Sequence, residues 1–296
     1  MLDQKYHVLV ASSILLGFLC ISYTKHRRIP TRPARTAFEY RFHRRCNPVC
    51  NTCTGRMSAP GSHKLQIASA KAGLRNLHAA GMRTIDFAGE EPFLEPAYLG
   101  ELARYCKEAL GLESISVSTN GALVKEDWLQ KYRGYIDILR LSYRSCGERT
   151  GLPLQELVRL CQLCKTHGVR FELCTAVDGL NCDEDMDPAV RNIGPHRWIV
   201  HKARIGDGDE ITTEQINVAR RGSVTDAQFE RFCTRHRARD EDYGYFESLQ
   251  GQPGGELWLD EHMRFVTRHS NGPTRSILDV GVVAALAELP ETAGGA

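Results

Sequence analysis

Strand-like and helix-like segments alternate through the central part of the chain, and this alternation limits the folds that the chain can adopt. Six short segments rich in β-branched and aromatic residues predict β-strands. They span residues 37–42, 84–89, 114–121, 137–143, 170–177 and 197–203. Three clear helical segments lie among them, at residues 63–80, 97–110 and 152–167, and a glycine follows each one. A glycine at that position is a common helix end.

This alternation is typical of an α/β protein whose parallel strands are joined by helical crossovers. Six units fit an open, partial (β/α)6 barrel better than a closed barrel of eight. In such folds the chemistry takes place at the C-terminal ends of the strands. The composition, with 42% hydrophobic and 25% charged residues and a net charge of +2, fits a folded body. It offers no general argument for binding nucleic acid, so no direct nucleic-acid partner is expected.

The N-terminal region differs from this body. Residues 8–23 carry no charge, and the cationic stretch Lys25–Arg28 follows closely. The apolar run is slightly shorter than the roughly 20 residues of a transmembrane helix. We expect residues 1–28 to form a membrane-associating helix, with the body on the cytosolic side because the cationic flank follows the run. A signal peptide or a helix on the membrane surface is the alternative. Residues 29–37, with two prolines, are predicted to be a linker.

Three cysteines follow the first predicted strand directly. Cys46, Cys50 and Cys53 have the spacing C-x3-C-x2-C. A structural zinc site needs four protein ligands, usually as two separated pairs, and no second pair stands at a usable spacing. A [4Fe–4S] cluster held by three thiolates leaves one iron with an open coordination position. The spacing therefore predicts such a cluster rather than a chance group of thiols. Cys161 and Cys164 share one face of a predicted helix and are expected in the core.

At these cysteines the sequence resembles the radical S-adenosylmethionine (SAM) superfamily. "FAGEEPF" (87–93) resembles that superfamily's Gly-Gly-Glu-Pro loop, and "STNG" (118–121) closes the third strand as it commonly does there. The resemblance implies that the open iron binds SAM and that one electron cleaves it to a 5′-deoxyadenosyl radical. The implied cofactors are the [4Fe–4S] cluster, held by Cys46, Cys50 and Cys53, and SAM. The implied SAM contacts are Gly89, Glu91, Ser118, Asn120 and Ser142.

Longer segments resemble one branch of this superfamily, the SAM-dependent nucleotide dehydratases. They include "AAGMRTIDFAGEEPFL", "LDEHMRF" and "SILDVGV", and they extend the resemblance over residues 38–286. This range is the predicted radical SAM domain, and residues 287–296 are a predicted flexible tail. The resemblance implies an antiviral lyase on the cytosolic face of the endoplasmic reticulum. It would dehydrate CTP to 3′-deoxy-3′,4′-didehydro-CTP, with an electron donor and the iron–sulfur assembly machinery as partners.

The sequence also departs from the pattern of this branch. Glu90 replaces a glycine, which excludes any conformation that only glycine tolerates; with an ordinary φ, its side chain could hydrogen-bond the SAM amine. Arg144 reverses a charge after the fourth strand. Cys174 stands on the fifth strand where an asparagine is usual, and on the nucleotide side Ile199 replaces a lysine. The candidate phosphate ligands are Arg56, Lys202, Arg204 and Arg264, since cationic groups bind phosphates through charge-assisted hydrogen bonds.

These departures leave two alternatives to the dehydratase. One is a radical SAM enzyme with a different substrate, because the cysteine signature matches better than the nucleotide pocket. The other is a catalytically impaired, cluster-binding scaffold tethered to a membrane, which Glu90 and Arg144 favour. Three thiols with low pKa values would be an oxidation liability without a use, so cluster binding is expected in each case.

Overall fold

The computed structural model describes residues 36–47, 63–143, 152–202, 222–237, 246–248, 257–267 and 272–290. Residues 35–296 form one compact unit, and the description below concerns that unit. The predicted anchor (1–28) lies outside the described residues. Within the ranges given above, no helix combines the length and the apolar character needed to cross a bilayer.

Nine strands of the described residues form one sheet. They are β1 (Ala37–Arg41), β2 (Thr84–Ala88), β3 (Ser114–Thr119), β4 (Ile138–Ser142), β5 (Arg170–Val177), β6 (Arg197–Lys202), β7 (Phe246–Ser248), β8 (Leu257–Leu259) and β9 (Phe265–Thr267). Their order is β7-β6-β5-β4-β3-β2-β1-β8-β9. Strands β1 to β7 pair in parallel, β8 is parallel to β1, and β9 is antiparallel to β8. The predicted α/β class with a parallel sheet is confirmed.

Helices follow the strands as the alternation predicts. They are α1 (Ile67–Ala79), a 3₁₀ helix (Pro92–Leu94), α2 (Pro96–Glu108), α3 (Glu126–Tyr132), α4 (Leu154–Thr166), α5 (Asp187–Ile193), α6 (Asp226–Arg237), α7 (Ile277–Val280) and α8 (Val282–Ala287). The three helices predicted from sequence are present, each shorter than its predicted segment. Cys161 and Cys164 are fully buried in the core, as predicted. Residues 291–296 of the predicted tail lie outside the described residues.

The sheet has one apolar face and one polar face. Ile85 and Phe87 of β2, and Ile115 and Val117 of β3, are buried in the core. The intervening positions carry polar side chains because successive residues of a strand point to opposite faces. Trp198 of β6 packs against Phe232 and His236 of α6, so the helices cover the apolar face.

A network of charged groups crosses the polar face from β2 to β6. Arg140 on β4 reaches Asp86 on β2 at 3.3 Å and Glu172 on β5 at 3.0 Å. Arg197 on β6 contacts the other oxygen of Glu172 at 3.4 Å. The Glu172 side chain is only 2% exposed. Buried charges require such partners, because an unpaired ion loses its hydration without compensation.

Candidate cofactor site

The C-terminal ends of β1, β2 and β3 bring three loops together. Residues 42–47 follow β1, residues 89–91 follow β2, and Asn120 follows β3. The three strands are neighbours and parallel, so the loops meet at one edge of the sheet. This is the edge at which parallel α/β folds place their ligands. The described start of the predicted cysteine loop, up to residue 47, therefore lies at the same edge as the predicted SAM loop.

Cys46 is the predicted cluster ligand that the structure describes, and its thiol is partly exposed. The Arg45 carbonyl accepts a hydrogen bond from the backbone N–H of Glu91 at 3.0 Å, and the Arg45 guanidinium forms an ion pair with Glu95. These contacts attach the start of the cysteine loop to the loop after β2. Cys50 and Cys53 lie outside the described residues, so their roles stay predictions.

Glu91 is directed into the protein. Its side chain is fully buried, and its carboxylate accepts hydrogen bonds from the Thr119 hydroxyl at 2.7 and 2.8 Å and from the backbone N–H groups of Asn120 and Phe93 at 2.9 Å. Burial raises the pKa of this carboxyl above its ordinary value, although the hydrogen bonds act in the opposite direction. The carboxylate thus ties the loop after β2 to the end of β3.

The other predicted SAM contacts have different surroundings. The Ser118 hydroxyl donates to Asp86 at 2.8 Å on the polar face of the sheet, whereas Ser142 is exposed at the end of β4. Gly89 has a φ of +92°, and a Cβ at this position would lie 2.7 Å from the Cβ of Arg41. This close approach of two backbones explains why a glycine stands there.

Glu90 adopts a backbone conformation that the sequence did not indicate. Its φ is +26°, within the left-handed region that favours glycine. The sequence analysis allowed an ordinary φ at Glu90, and the structure shows that this alternative is wrong. The Glu90 side chain is half-buried. Burial raises the pKa of its carboxyl above the ordinary value, while the positive charges of Arg41 and Arg44 act in the opposite direction. The carboxyl thus lies near the guanidinium groups of Arg41 and Arg44.

Two of the four candidate phosphate ligands are described, and carboxylates bind both. The Nζ of Lys202 lies 2.6 Å from Asp226, an exposed residue at the start of α6. The Arg264 guanidinium binds the buried carboxylate of Asp260 at 2.7 and 2.8 Å. Arg56 and Arg204 lie outside the described residues. The phosphate role of each of these residues stays a prediction.

Sequence reasoning missed two residues of this site, Asn47 and Thr119. The Asn47 side chain accepts a hydrogen bond from Asn120 at 2.8 Å, and Thr119 binds both oxygens of Glu91. Asn47 directly follows a cysteine and Thr119 lies within "STNG". Their positions beside predicted ligands were the available signal, but no spacing rule joins residues on separate strands.

A second group of potential metal ligands lies away from these loops, at Asp185, Asp187 and His236. The Nε2 of His236 accepts a hydrogen bond from the Met186 backbone N–H at 3.1 Å, and its Nδ1 lies 2.8 Å from the Phe232 carbonyl. That carbonyl requires a donor, so Nδ1 carries the hydrogen and both ring nitrogens are engaged. The group attaches α6 to the loop between β5 and α5 and offers no imidazole nitrogen to a metal.

The donors at the sheet edge fit an iron–sulfur cluster better than another metal. A thiolate is the natural ligand of iron in such clusters, and Cys46 is accessible beside an ordered loop. The carboxylate oxygens of Glu91 accept hydrogen bonds from Thr119 and Asn120, so they are not offered to a metal as ligands. Among the described residues of this edge, Cys46 is therefore the group that suits a cluster.

Comparisons with known proteins agree with this geometry. The family model described as "Radical SAM superfamily" matches residues 40–191. The chain is 35% identical over 265 residues to the S-adenosylmethionine-dependent nucleotide dehydratase RSAD2 of Danio rerio, covering 85% of this chain and 73% of that protein. It is 34% identical over 274 residues to the protein of the same name from Siniperca chuatsi, covering 88% and 76%.

Solved structures show a similar fold at low sequence identity. The structure of anSMEcpe with bound AdoMet has a TM-score of 0.67 at 14% identity, covering 86% of this chain and 77% of that one. Streptococcus suis SuiB bound to S-adenosylmethionine has a TM-score of 0.65 at 14% identity, covering 94% and 70%. Likeness at this level of identity concerns the fold alone.

Proposed function

Because the chain belongs to the radical SAM superfamily and is a viperin-like member of it, we propose that it dehydrates CTP to 3′-deoxy-3′,4′-didehydro-CTP. The chain is a radical SAM enzyme, and its cofactors are a [4Fe–4S] cluster and SAM. The observation that supports this proposal most is Cys46, which stands beside the fully hydrogen-bonded Glu91 at the ends of β1, β2 and β3.

Different residues at the sheet edge would hold the two cofactors. In our proposal Cys46, Cys50 and Cys53 hold the cluster, which supplies the electron for SAM cleavage when it is bound. Gly89 lets the loop after β2 approach β1 closely. Glu91 fixes that loop against the end of β3, so that its backbone groups are ordered before a ligand arrives. Ser142 is exposed at the same edge and is available to SAM.

The substrate side is proposed from the relatives and from the cations of the chain. A triphosphate carries several negative charges and can compete for a cation that a single carboxylate holds. Lys202 is the better candidate for such an exchange, because its partner Asp226 is exposed. The partner of Arg264 is buried, so Arg264 would keep that ion pair and offer its remaining N–H groups. Arg56 and Arg204 complete the proposed set.

We also propose the cellular setting that the resemblance of the sequence implies. Residues 1–28 would associate with the cytosolic face of the endoplasmic reticulum, residues 29–37 would link this anchor to the radical SAM domain (38–286), and residues 287–296 would form a tail. The partners would be an electron donor and the iron–sulfur assembly machinery. The elimination of water would make the enzyme a lyase, and its product would act as an antiviral chain terminator.

The first test measures SAM cleavage. The full chain is reconstituted anaerobically with iron and sulfide and reduced with dithionite, and 5′-deoxyadenosine is quantified with SAM, with and without CTP. A rise with CTP, together with the dehydrated nucleotide, supports the proposal. Cys46→Ala is the control and should form neither product. A rise that ignores CTP, UTP and GTP indicates another substrate.

The impaired scaffold is the second candidate, and one observation favours it. The φ of +26° at Glu90 places a strained residue inside the loop that is proposed to contact SAM. A chain with a complete cluster spectrum that forms no 5′-deoxyadenosine would exclude both enzyme functions and support the scaffold. Restoration of SAM cleavage by Glu90→Gly would then identify this residue as the cause.

A further inference from the structure

Asn120 connects two segments that are distant in the sequence. Its Nδ2 group donates a hydrogen bond to the Oδ1 of Asn47 at 2.8 Å, and its Oδ1 accepts one from the backbone N–H of Ala122 at 3.0 Å. The Ala122 N–H can only donate, so it fixes which end of the Asn120 amide is the acceptor. The amide NH₂ group of Asn120 therefore faces Asn47.

Both neighbours of the first cysteine are anchored. Asn47 directly follows Cys46, and its Oδ1 lies 3.9 Å from the Cys46 Sγ. On the other side, the carbonyl of Arg45 accepts the hydrogen bond from the Glu91 N–H at 3.0 Å. Cys46 is thus held between one residue bonded to the end of β3 and one bonded to the loop after β2.

The Asn120 anchor is itself fixed. Its backbone N–H donates to the Oε2 of Glu91 at 2.9 Å, and Glu91 is fully buried. Thr119, the last residue of β3, binds the same carboxylate. Asn120 is therefore anchored directly at the end of β3, and its side chain can orient Asn47 without losing much freedom of its own.

We propose that Asn120 is a positioning residue for the iron–sulfur cluster, acting through Asn47 to hold Cys46 in its ligating position. The inference rests on the proposed function, because it takes Cys46 as a cluster ligand. Outer hydrogen bonds that orient the ligands of a metal commonly determine how firmly the metal is held. This role is independent of SAM, which separates it from the direct SAM contact predicted for Asn120.

The test measures cluster loss in the absence of SAM. The full chain and its Asn120→Ala variant are reconstituted anaerobically and exposed to EDTA, and the loss is followed by visible absorbance and iron content. Loss of the hydrogen bond to Asn47 predicts cluster release about three- to tenfold faster in Asn120→Ala. Asn76→Ala is the matched control: it removes a side-chain bond to the Ile277 carbonyl in another part of the fold and should release iron at the wild-type rate.

Two further variants separate positioning from a general loss of structure. Asn120→Asp keeps the acceptor for Ala122 but lacks the Nδ2 donor, so it should also release the cluster faster. In a double-mutant cycle, Asn47→Ala combined with Asn120→Ala should release it no faster than either single variant, because both remove the same bond. Effects that add, or a wild-type rate in Asn120→Ala, would overturn the inference.

The outcomes also distinguish this inference from the proposed function. A wild-type chain that holds a cluster but does not cleave SAM overturns the enzyme and leaves the positioning role to be decided by the release rates. If the wild-type chain cleaves SAM and the Asn120→Ala variant releases its cluster at the wild-type rate, the positioning role alone is overturned. A wild-type chain that binds no iron overturns both.

Discussion

The backbone conformation of a single residue affects the stability of the folded protein, and Glu90 is the clearest case. A non-glycine residue in the left-handed region loses about 1–2 kcal/mol relative to a right-handed conformation, and the φ of Glu90 is +26°. Glu90→Gly relieves this strain, whereas Glu90→Ala keeps it and removes the same carboxylate. We expect the glycine variant to be more stable than the alanine variant by about 1 kcal/mol.

Urea unfolding of the two Glu90 variants measures this difference. Neither variant has the Glu90 carboxylate near Arg41 and Arg44, so its loss does not contribute to the difference between their free energies of unfolding. An alanine variant as stable as the glycine variant would show that the backbone at position 90 relaxes without strain. The same two proteins can enter the SAM-cleavage assay, which then separates backbone strain from the effect of the carboxylate.

His43 gives the unfolding free energy a predictable pH dependence. It is 1% exposed, and burial, with the nearby charge of Arg45, lowers the pKa of its imidazole to about 4 from 6.5. The folded state therefore holds a neutral imidazole, so stability is complete above pH 6.5 and declines as the pH falls towards 4. We expect this decline to be about 3 kcal/mol.

The measurement is the free energy of unfolding between pH 4 and pH 7 for the wild type and His43→Leu. Leucine has a similar size and does not titrate, so its curve should be flatter over this interval even if its overall stability changes. Parallel curves for the two proteins would contradict the assignment. The sequence did not indicate this burial, since His43 stands between a predicted strand and the cysteine loop.

Between elements, Gly100 of α2 lies close against Tyr132 of α3. A Cβ on Gly100 would lie 2.2 Å from the Cζ of Tyr132, although alanine normally favours a helix over glycine by about 1 kcal/mol. We expect Gly100→Ala to destabilise the protein by about 1–3 kcal/mol, since overpacking displaces its neighbours. In a Tyr132→Leu background the same change should become neutral or stabilising, which thermal unfolding of the four proteins would show.

The helices and strands also show how much of the fold can be predicted from the sequence. Strands β1 to β6 and helices α1, α2 and α4 follow from local patterns, because β-branched runs and glycine stops act over a few residues. Strands β7, β8 and β9 have three residues each, too few for a periodic pattern, and their place in the sheet depends on pairing with distant strands. The bonds of Glu91 and Asn120 were missed for the same reason, since each joins separate strands.

Across the whole molecule, Arg140 connects both halves of the parallel sheet. It lies between Asp86 and Glu172, and its removal leaves two carboxylates without their shared cation. We expect Arg140→Met to destabilise the protein by about 3 kcal/mol. Arg104→Met, which removes an exposed pair with Glu101 on α2, is the control and should change stability little. Equal effects of the two variants in urea unfolding would contradict the role of the network.

The position of β8 beside β1 has a consequence for the order of events in the cell. The strand that leads into the cysteine loop is flanked by β2 on one side and by β8 on the other. The Arg44–Glu261 contact that accompanies this pairing spans 217 residues. A ribosome releases β1 long before it releases β8, the strand that completes the pairing of β1. The first strand therefore keeps one unpaired edge until the residues of β8 have been synthesised, and the contacts that Glu261 makes with the segment after β1 form only after that point.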